Sequence, residues 1–370
     1  MSLNKIRILM ISRATLYTSP GGDTIQILST AKYLIKLGIL VDVKLTNDVI
    51  KYEKYDLIHF FNLIRPADIL PHIKLSNKKF VVSTIFVDYE EFERYARKGI
   101  YRLVAILLSS DMREYLKTII RFYRNNELIN SKYFLLNGQK KSIDKILKKC
   151  ACILPNSYNE KERIYMAYGV KATSYKIPNA IDMEIFNNKS NIDKKYTNSI
   201  ICVARIEGRK NQLNLIKALK NEHIKLFIIG KPSPNNIYYY DKCKKEANEY
   251  TEFIDHVSQE ELSVIYRSAK VHALASWFET TGLVSLEAAY CGCNIVITKK
   301  GDQEEYFKDF GYFCDPGDIN SIREAVLEAY SNPYNENIKE TIAKNYSWEN
   351  TALETLEAYE KVLNLKDKEC

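Results

Sequence analysis

Glu279 and Glu287 stand on either side of a glycine turn in Trp277-Phe278-Glu279-Thr280-Thr281-Gly282-Leu283-Val284-Ser285-Leu286-Glu287-Ala288-Ala289. An apolar strand pattern, Val271–Ala275, precedes them, and a helical pattern starts near Gly282. A helix that begins there leaves its first backbone N–H groups unpaired and pointing forward. Those donors suit a phosphate. Thr281, Gly282 and Leu283 form this start, so the two acids can reach polar groups on both sides of a bound phosphate, with sugar hydroxyls the natural candidates. Glu287 has Leu286, Ala288 and Ala289 as neighbours, which argues against a casual surface acid. Two nearby acids also suit a glycosidase pair, but such a pair has no need of phosphate-binding amides.

A second group lies earlier, where the strand pattern Ile200–Ala204 runs into Arg205-Ile206-Glu207-Gly208-Arg209-Lys210-Asn211. Fixed cations at a strand end are economical catalysts when a departing diphosphate gains charge. Taken alone, the loop is a solvated basic stretch. Its place after an apolar strand, with the acidic segment as companion, favours Arg205 and Lys210 as site residues. Arg209 is a rival cation that spacing does not separate from them. Near the amino terminus Gly21-Gly22 permits close backbone approach to a ligand. No G-x-G-x-x-G follows the first strand, which argues against a dinucleotide cofactor.

The Glu279–Glu287 segment resembles the Glu-x7-Glu signature of the retaining glycosyltransferases of family 4, which have the two-domain GT-B architecture. Val203–Asn211 looks like that family's strand, arginine and lysine segment. Ile177-Pro178-Asn179-Ala180-Ile181-Asp182, followed by Phe186, looks like its Pro-Asn-Gly-x-Asp hinge, and Leu154-Pro155-Asn156-Ser157 resembles the small-Ser segment upstream. The amino-terminal half matches through Pro20-Gly21-Gly22-Asp23 and Tyr55-Asp56-Leu57-Ile58-His59. The resemblance implies that Arg205 and Lys210 hold the donor diphosphate, that Glu287 accepts hydrogen bonds from two ribose hydroxyls and that Glu279 lies by the transferred sugar. Thr281, Gly282, Leu283, Gly21 and Gly22 complete the expected donor site.

Many family members carry a histidine beside the sugar at a strand end, where this chain has Val82-Ser83-Thr84-Ile85-Phe86-Val87-Asp88. Asp88 is a candidate for part of that role. His59 is a second cleft candidate that fits a core histidine equally. The implied reaction is front-face transfer of a sugar from a UDP-, GDP- or ADP-linked donor to a glycan or lipid-linked acceptor, in cytoplasmic synthesis of a surface polysaccharide or glycolipid. No cofactor and no metal is expected, because the chain has no Asp-x-Asp in a sugar-transferase setting and no His or Cys cluster. A nucleotide-sugar epimerase or phosphorylase on the same fold, and a non-catalytic nucleotide-sugar-binding module, are the alternatives. A nucleic-acid partner ranks last, since the basic residues lack the aromatic interleaving of single-strand binders.

These residues need elements to hold them, and strand patterns alternate with helical ones twice along the chain, as in parallel sheets covered by helices. The expected fold is α/β: two Rossmann-like domains facing a central ligand cleft. Residues 1–186 form the acceptor-side domain and 187–346 the donor-binding one, with the polar run Asn187–Lys195 as the boundary. The helical pattern from Ser347 onward resembles the terminal helix that in GT-B proteins crosses back, so 347–370 is assigned to the first domain.

Length and composition agree, since 370 residues at 46% hydrophobic content can build two cores. No apolar run approaches the ~18 residues of a membrane span, and the amino terminus reads as a buried first strand instead of a signal peptide. Eight cysteines without zinc-ligand spacing read as reduced thiols. The net charge of +8 is concentrated between Tyr89 and Lys149, which hold fourteen Lys and Arg against seven Asp and Glu. There Arg113, Lys117, Arg121 and Arg124 recur at helical spacing, with Met112, Leu116, Ile119 and Tyr123 on another face. Two readings stand side by side. One is a core-packing helix with a solvated basic face. The other is attachment of residues 94–149 to an anionic membrane surface, on the inner face of the cell membrane.

Overall fold

The computed structural model of the chain describes residues 6–96, 100–125, 129–187, 192–233 and 236–364. Part of the polar run expected at the domain boundary, residues 188–191, lies outside them. The chain forms two compact units: residues 1–87, 99–179 and 348–370 make the first, and residues 88–98 and 180–347 the second. The sequence places the boundary a few residues later and leaves the segment 88–98 in the first domain.

The first unit runs β1 (Arg7–Ser12), α1 (Gly22–Lys36), β2 (Leu40–Leu45), β3 (Leu57–Phe61), α2 (Pro66–Ser76) and β4 (Phe80–Ser83). It continues with α3 (Ile100–Leu107), α4 (Ser110–Asn125), α5 (Lys132–Lys149), β5 (Cys152–Leu154) and α6 (Tyr158–Tyr168). The second unit runs α7 (Met183–Phe186), β6 (Ile200–Val203), α8 (Gln212–Ala218), β7 (Leu226–Ile229), α9 (Ile237–Glu246), β8 (Thr251–Ile254) and α10 (Gln259–Ser268). It ends with β9 (Val271–Ala273), α11 (Leu283–Cys291), β10 (Asn294–Thr298), α12 (Gln303–Phe307), β11 (Gly311–Cys314), α13 (Ile319–Ser331) and α14 (Asn337–Asn345). The last helix, α15 (Trp348–Leu363), belongs to the first unit.

Every strand pairing is parallel. The first sheet has the order β2-β1-β3-β4-β5 and the second β11-β10-β9-β6-β7-β8. Parallel strands covered on both faces read as continuous apolar runs. Alternate residues of β6, β7 and β10 divide accordingly: Ile201, Val203, Phe227, Ile229, Ile295 and Ile297 enter one core, while Ile200, Cys202, Leu226, Ile228 and Val296 enter the other. A third core fills the first unit around Leu9, Ile58, Phe60, Val82 and Phe134.

The terminal helix is fixed by specific polar bonds inside the first unit. The Tyr359 hydroxyl lies 2.6 Å from His59 Nδ1, and Thr351 Oγ1 donates to the Pro178 carbonyl at 2.9 Å. His59 Nε2 is 2.8 Å from Ser83 Oγ, and its ring stacks on Phe61. Burial lowers the His59 pKa to about 3, so the ring stays neutral as a core residue linking β3, β4 and α15. Among the described residues the seven cysteines are free, and no helix is long and apolar enough to cross a membrane.

The basic region differs from its periodic pattern. Arg113 is buried, its Nη1 donating to the carbonyls of Ala105 (2.8 Å) and Leu108 (2.5 Å), so it fastens α4 to the end of α3 and is no part of an exposed basic face. The Arg124 side chain lies outside the described residues. Met112, Leu116 and Tyr123, which a core-packing helix would bury, are exposed.

Candidate functional site

The strand order of the second unit reverses direction between β6 and β9, which are neighbours in the sheet but not in the chain. In open parallel sheets ligands bind outside the carboxyl ends of the strands at such a switch point. The loops leaving β6 and β9 carry the candidate residues, and three sets of bonds hold them.

Asn211, directly after Lys210, takes a left-handed conformation (φ 61°), and its Nδ2 donates to the carbonyls of Ala275 (3.0 Å) and Pro316 (2.8 Å). The Trp277 amide donates to the Arg209 carbonyl at 2.9 Å. On the far side, Glu279 N donates to Lys300 O (3.2 Å) and Asp302 N to Glu279 O (2.9 Å), tying this loop to the one after β10. That approach requires a glycine: a Cβ on Gly301, whose φ is +99°, would lie 2.0 Å from the Glu279 carbonyl oxygen.

Held this way, Lys210 Nζ and Glu279 Oε1 form an ion pair between the two loops. Burial opposes the lysine's charge, but the Glu279 carboxylate, helped by Tyr89, leaves the Lys210 pKa raised. Arg209 is engaged elsewhere. Its Nη2 bonds Glu207 Oε1 at 2.7 Å, and its guanidinium lies 4.5 Å from the Tyr89 ring centroid. Tyr89 in turn meets Phe278 edge-on at 5.8 Å. Phe92 packs near Trp277 and crowds Gly208, and Lys300 pairs with Glu91 at 2.9 Å, so residues 88–92 form one wall of the loop cluster. Arg205 extends from the same β6 loop with its side chain exposed.

Beside this pair α11 begins after Gly282, whose φ of +70° is left-handed and whose Cβ would fall 2.3 Å from Gln303 Nε2. Thr281 is buried there, Oγ1 donating to the Tyr306 hydroxyl at 3.3 Å. Ser285, Leu286, Glu287, Ala288, Ala289 and Tyr290 are all buried, so Glu287 occupies a core helix. Burial pushes its carboxyl up to about 7, with the Tyr266 hydroxyl, donating to Oε2 at 3.2 Å, pulling the other way. A buried carboxylate with one protein donor has room in its bonding for two hydroxyl donors from a ligand. Gln303 Nε2 reaches Ser285 Oγ at 3.4 Å, and Gln303 Oε1 has no hydrogen-bond partner among the described residues.

The structure thus gathers Lys210, Glu279, Thr281, Gly282 and Leu283 on neighbouring loops, with Arg205 on the β6 loop and Glu287 further along α11. Asp88 belongs to the same unit; it is exposed, and its Oδ1 accepts from the Glu90 amide at 2.8 Å, a local turn cap. His59, Gly21 and Gly22 are in the first unit. Gly21 caps α1 in an extended conformation (φ −151°), and a Cβ on Gly22 would meet nothing within 4 Å, so neither glycine is demanded by the backbone. The residues that sequence reasoning misses are Tyr89, Asn211, Tyr266, Gly301 and Gln303. Of these, Asn211 and Gly301 have a local signal, a turn residue just before a helical run. Among the described residues no group of three or more His, Cys, Asp or Glu is placed to hold a metal ion.

Residues 182–347 match the family model described as glycosyl transferases group 1. A probable sucrose-phosphate synthase of Thermosipho melanesiensis is 26% identical over 241 residues, 60% of this chain and 57% of that protein. The alignment therefore spans little more than half of that relative's length. An uncharacterized glycosyltransferase of Methanocaldococcus jannaschii is 25% identical over 334 residues, 86% of this chain and 78% of the relative. Among solved structures, Anabaena HepE in complex with UDP and glucose superposes with a TM-score of 0.69 at 13% identity, over 96% of this chain and 99% of its own. That likeness is one of fold: two parallel α/β units, the GT-B architecture.

Proposed function

We propose that this chain, whose residues 182–347 are a group 1 glycosyl transferase domain, moves a sugar from a nucleotide-sugar donor to a glycan or lipid-linked acceptor with retention at the anomeric carbon. The observation that carries this reading is the pairing of Lys210 with Glu279 across the switch point of the second sheet. Glu279 stands in the segment that ends at the amino terminus of α11, and buried Glu287 lies within that helix.

In this reading the diphosphate lies against the α11 amides, and Lys210 and Arg205 neutralise the charge that develops as the bond from the anomeric carbon to the phosphate oxygen breaks. Glu287 accepts the two ribose hydroxyls. Glu279 holds Lys210 in position and faces the transferred sugar. The acceptor oxygen bonds to the anomeric carbon on the face from which the diphosphate departs, and its proton passes to a diphosphate oxygen. The cationic side chains and the helix terminus supply the positive charge, and no divalent metal is required. The UDP complex of the Anabaena neighbour makes uridine diphosphate the first nucleotide to test.

The acceptor class, and work at the inner face of the cell membrane in assembly of a surface polysaccharide or glycolipid, complete the proposal. A thermal-shift screen against UDP, GDP, ADP and their sugars tests it, because a ligand of the folded state raises the melting temperature by mass action. One nucleoside diphosphate family should stabilise the protein. Stabilisation by none of them removes the reading. Release of free sugar or consumption of phosphate without an acceptor would instead select the epimerase or phosphorylase alternative.

A further inference from the structure

The first unit holds a cavity of about 370 Å³ that shares no residue with the proposed donor site. Its walls are the start of α6, the segment 174–177 and the second half of α15. Each wall is held in place by its own bonds. The segment lies along β5, with Ile153 N donating to Thr173 O at 2.9 Å, Tyr175 N to Ile153 O at 3.1 Å and Ile177 N to Pro155 O at 2.9 Å. Ser157 caps α6, its Oγ accepting from Glu160 N at 2.9 Å. The terminal helix is anchored through Thr351 to Pro178 and through Tyr359 to His59.

The lining is rich in charge of both signs. Lys161 comes from α6 and Lys176 from the segment beside β5, while Glu354, Glu357 and Lys361 recur along α15 at the spacing of one helix face. Opposite charges thus share one small space, yet Lys161, Lys361, Glu354 and Glu357 form no ion pair among the described residues. Lys361 instead holds its ammonium 4.7 Å from the Tyr175 ring centroid, and Lys176 holds its own 4.7 Å from that of Tyr158. Attraction to a ring face settles where each ammonium sits. The walls strip water from Glu354 and raise its pKa, against the pull of Lys176 and with the Glu357 carboxylate adding to the shift. A hydrogen-bond donor brought in by a ligand would relieve that carboxylate.

This lining selects a chemistry. A wholly apolar ligand would leave five charged side chains facing it without water. A small inorganic ion would meet the ammoniums but leave much of the space, and both carboxylates, unused. A sugar ring offers hydroxyl donors that carboxylates accept, and an acidic group on that ring supplies the anion for the lysines. We infer that this cavity binds an anionic sugar unit, with Lys161 and Lys361 on its acidic group and Glu354 and Glu357 on its ring hydroxyls. The inference rests on the proposed transfer to a glycan and adds to it: the glycan carries acidic residues, and the first unit holds one of them apart from the donor site. A free sugar phosphate shares this chemistry.

Titration calorimetry on the full chain with trigalacturonate, glucose 6-phosphate, glucose and inorganic phosphate tests it. An acidic sugar should bind, and glucose and inorganic phosphate should each bind at least about tenfold more weakly. Tighter binding of trigalacturonate supports the glycan, whereas tighter binding of glucose 6-phosphate supports the site and overturns its assignment to a glycan. The double variant Lys161→Ala, Lys361→Ala should lose at least about tenfold in affinity for the acidic sugar and keep its melting temperature. In the double variant Glu354→Gln, Glu357→Gln the preference for the acidic sugar over inorganic phosphate should shrink. Undiminished affinity in the lysine variant places the ligand elsewhere and overturns the inference, as does wild-type protein that binds neither acidic sugar or that binds inorganic phosphate equally well. UDP, GDP and ADP are titrated into the same samples, and the lysine variant should keep the wild-type nucleotide affinity. Wild type that binds a nucleotide but no acidic sugar sinks this inference alone; wild type that binds an acidic sugar but no nucleotide sinks the donor reading alone.

Discussion

Lys210 and Glu279, 69 residues apart in the chain, form an ion pair that closes the gap between the loops after β6 and β9. In the proposed donor site the pair holds the lysine where a diphosphate would share it. Removing one partner leaves the other charge buried without compensation. Lys210→Met should therefore lower the melting temperature by roughly 5 to 10 °C, the equivalent of about 2 to 3 kcal/mol in a unit of this size. The double variant Lys210→Met, Glu279→Gln should recover most of that stability and none of the turnover. A single variant as stable as wild type would show that the pair is not formed in solution.

Glu287 gives the site a pH dependence. Its pKa in the folded protein, about 7, is above the ordinary value of 4.5. Protonation is thus favoured by folding: the contribution to stability is complete below about pH 4.5 and is lost as pH rises towards 7. Ribose hydroxyls need the ionised carboxylate as acceptor, so nucleotide binding should tighten as pH rises to about 7, by up to about tenfold per unit. Calorimetry across this range checks it against Glu287→Gln, which should show a flatter profile. Parallel profiles for the two proteins would mean that Glu287 does not titrate on binding.

Arg209 lies over the Tyr89 ring and bonds Glu207, while Lys210 pairs with Glu279. Loss of the ring should release the guanidinium at a cost of about 1 kcal/mol. Phenylglyoxal modification of Arg209, followed by mass spectrometry, should accelerate in Tyr89→Leu and stay slow in Tyr89→Phe, which retains the ring. Equal rates in all three proteins would contradict the arrangement.

If side chains and the α11 terminus supply the positive charge, initial rates with the identified donor and acceptor should persist in excess EDTA. Arg205→Ala or Lys210→Ala should depress turnover by about a hundredfold, the scale for losing one electrostatic stabiliser, and ground-state binding by less. Activity that vanishes with chelator and returns with magnesium would assign the neutralising role to a metal.

Much of this architecture is legible in the chain because parallel strands buried on both faces leave mostly apolar runs, such as Leu57–Phe61 and Asn294–Thr298, with polar loops at their ends. The loops bearing Lys210 and Glu279 stand out for that reason. β8 and β11 do not, being short edge strands with mixed burial. Periodicity finds the two faces of α4 but cannot say which one the protein covers, so Arg113 appears exposed in the pattern and is buried in the fold. The contacts of Tyr89 with Arg209 and of Tyr266 with Glu287 depend on pairings distant in sequence, and nothing in their local composition announces them. His59 lies in one of the apolar runs, and there the bonding to Tyr359 and Ser83 decides its environment.

The central claim is that the second unit holds a nucleotide-sugar donor through Glu287 and Lys210. Titration calorimetry of UDP, GDP and ADP into wild type, Glu287→Ala and Lys210→Ala tests it most directly. One of the three nucleotides should bind wild type, and Glu287→Ala should bind it at least about tenfold more weakly, since it loses charge-assisted hydrogen bonds of about 1.5 to 3 kcal/mol each. Lys210→Ala should weaken diphosphate binding while leaving the nucleoside monophosphate less affected. Binding of none of the three, or undiminished affinity in a folded Glu287→Ala protein, would contradict the account.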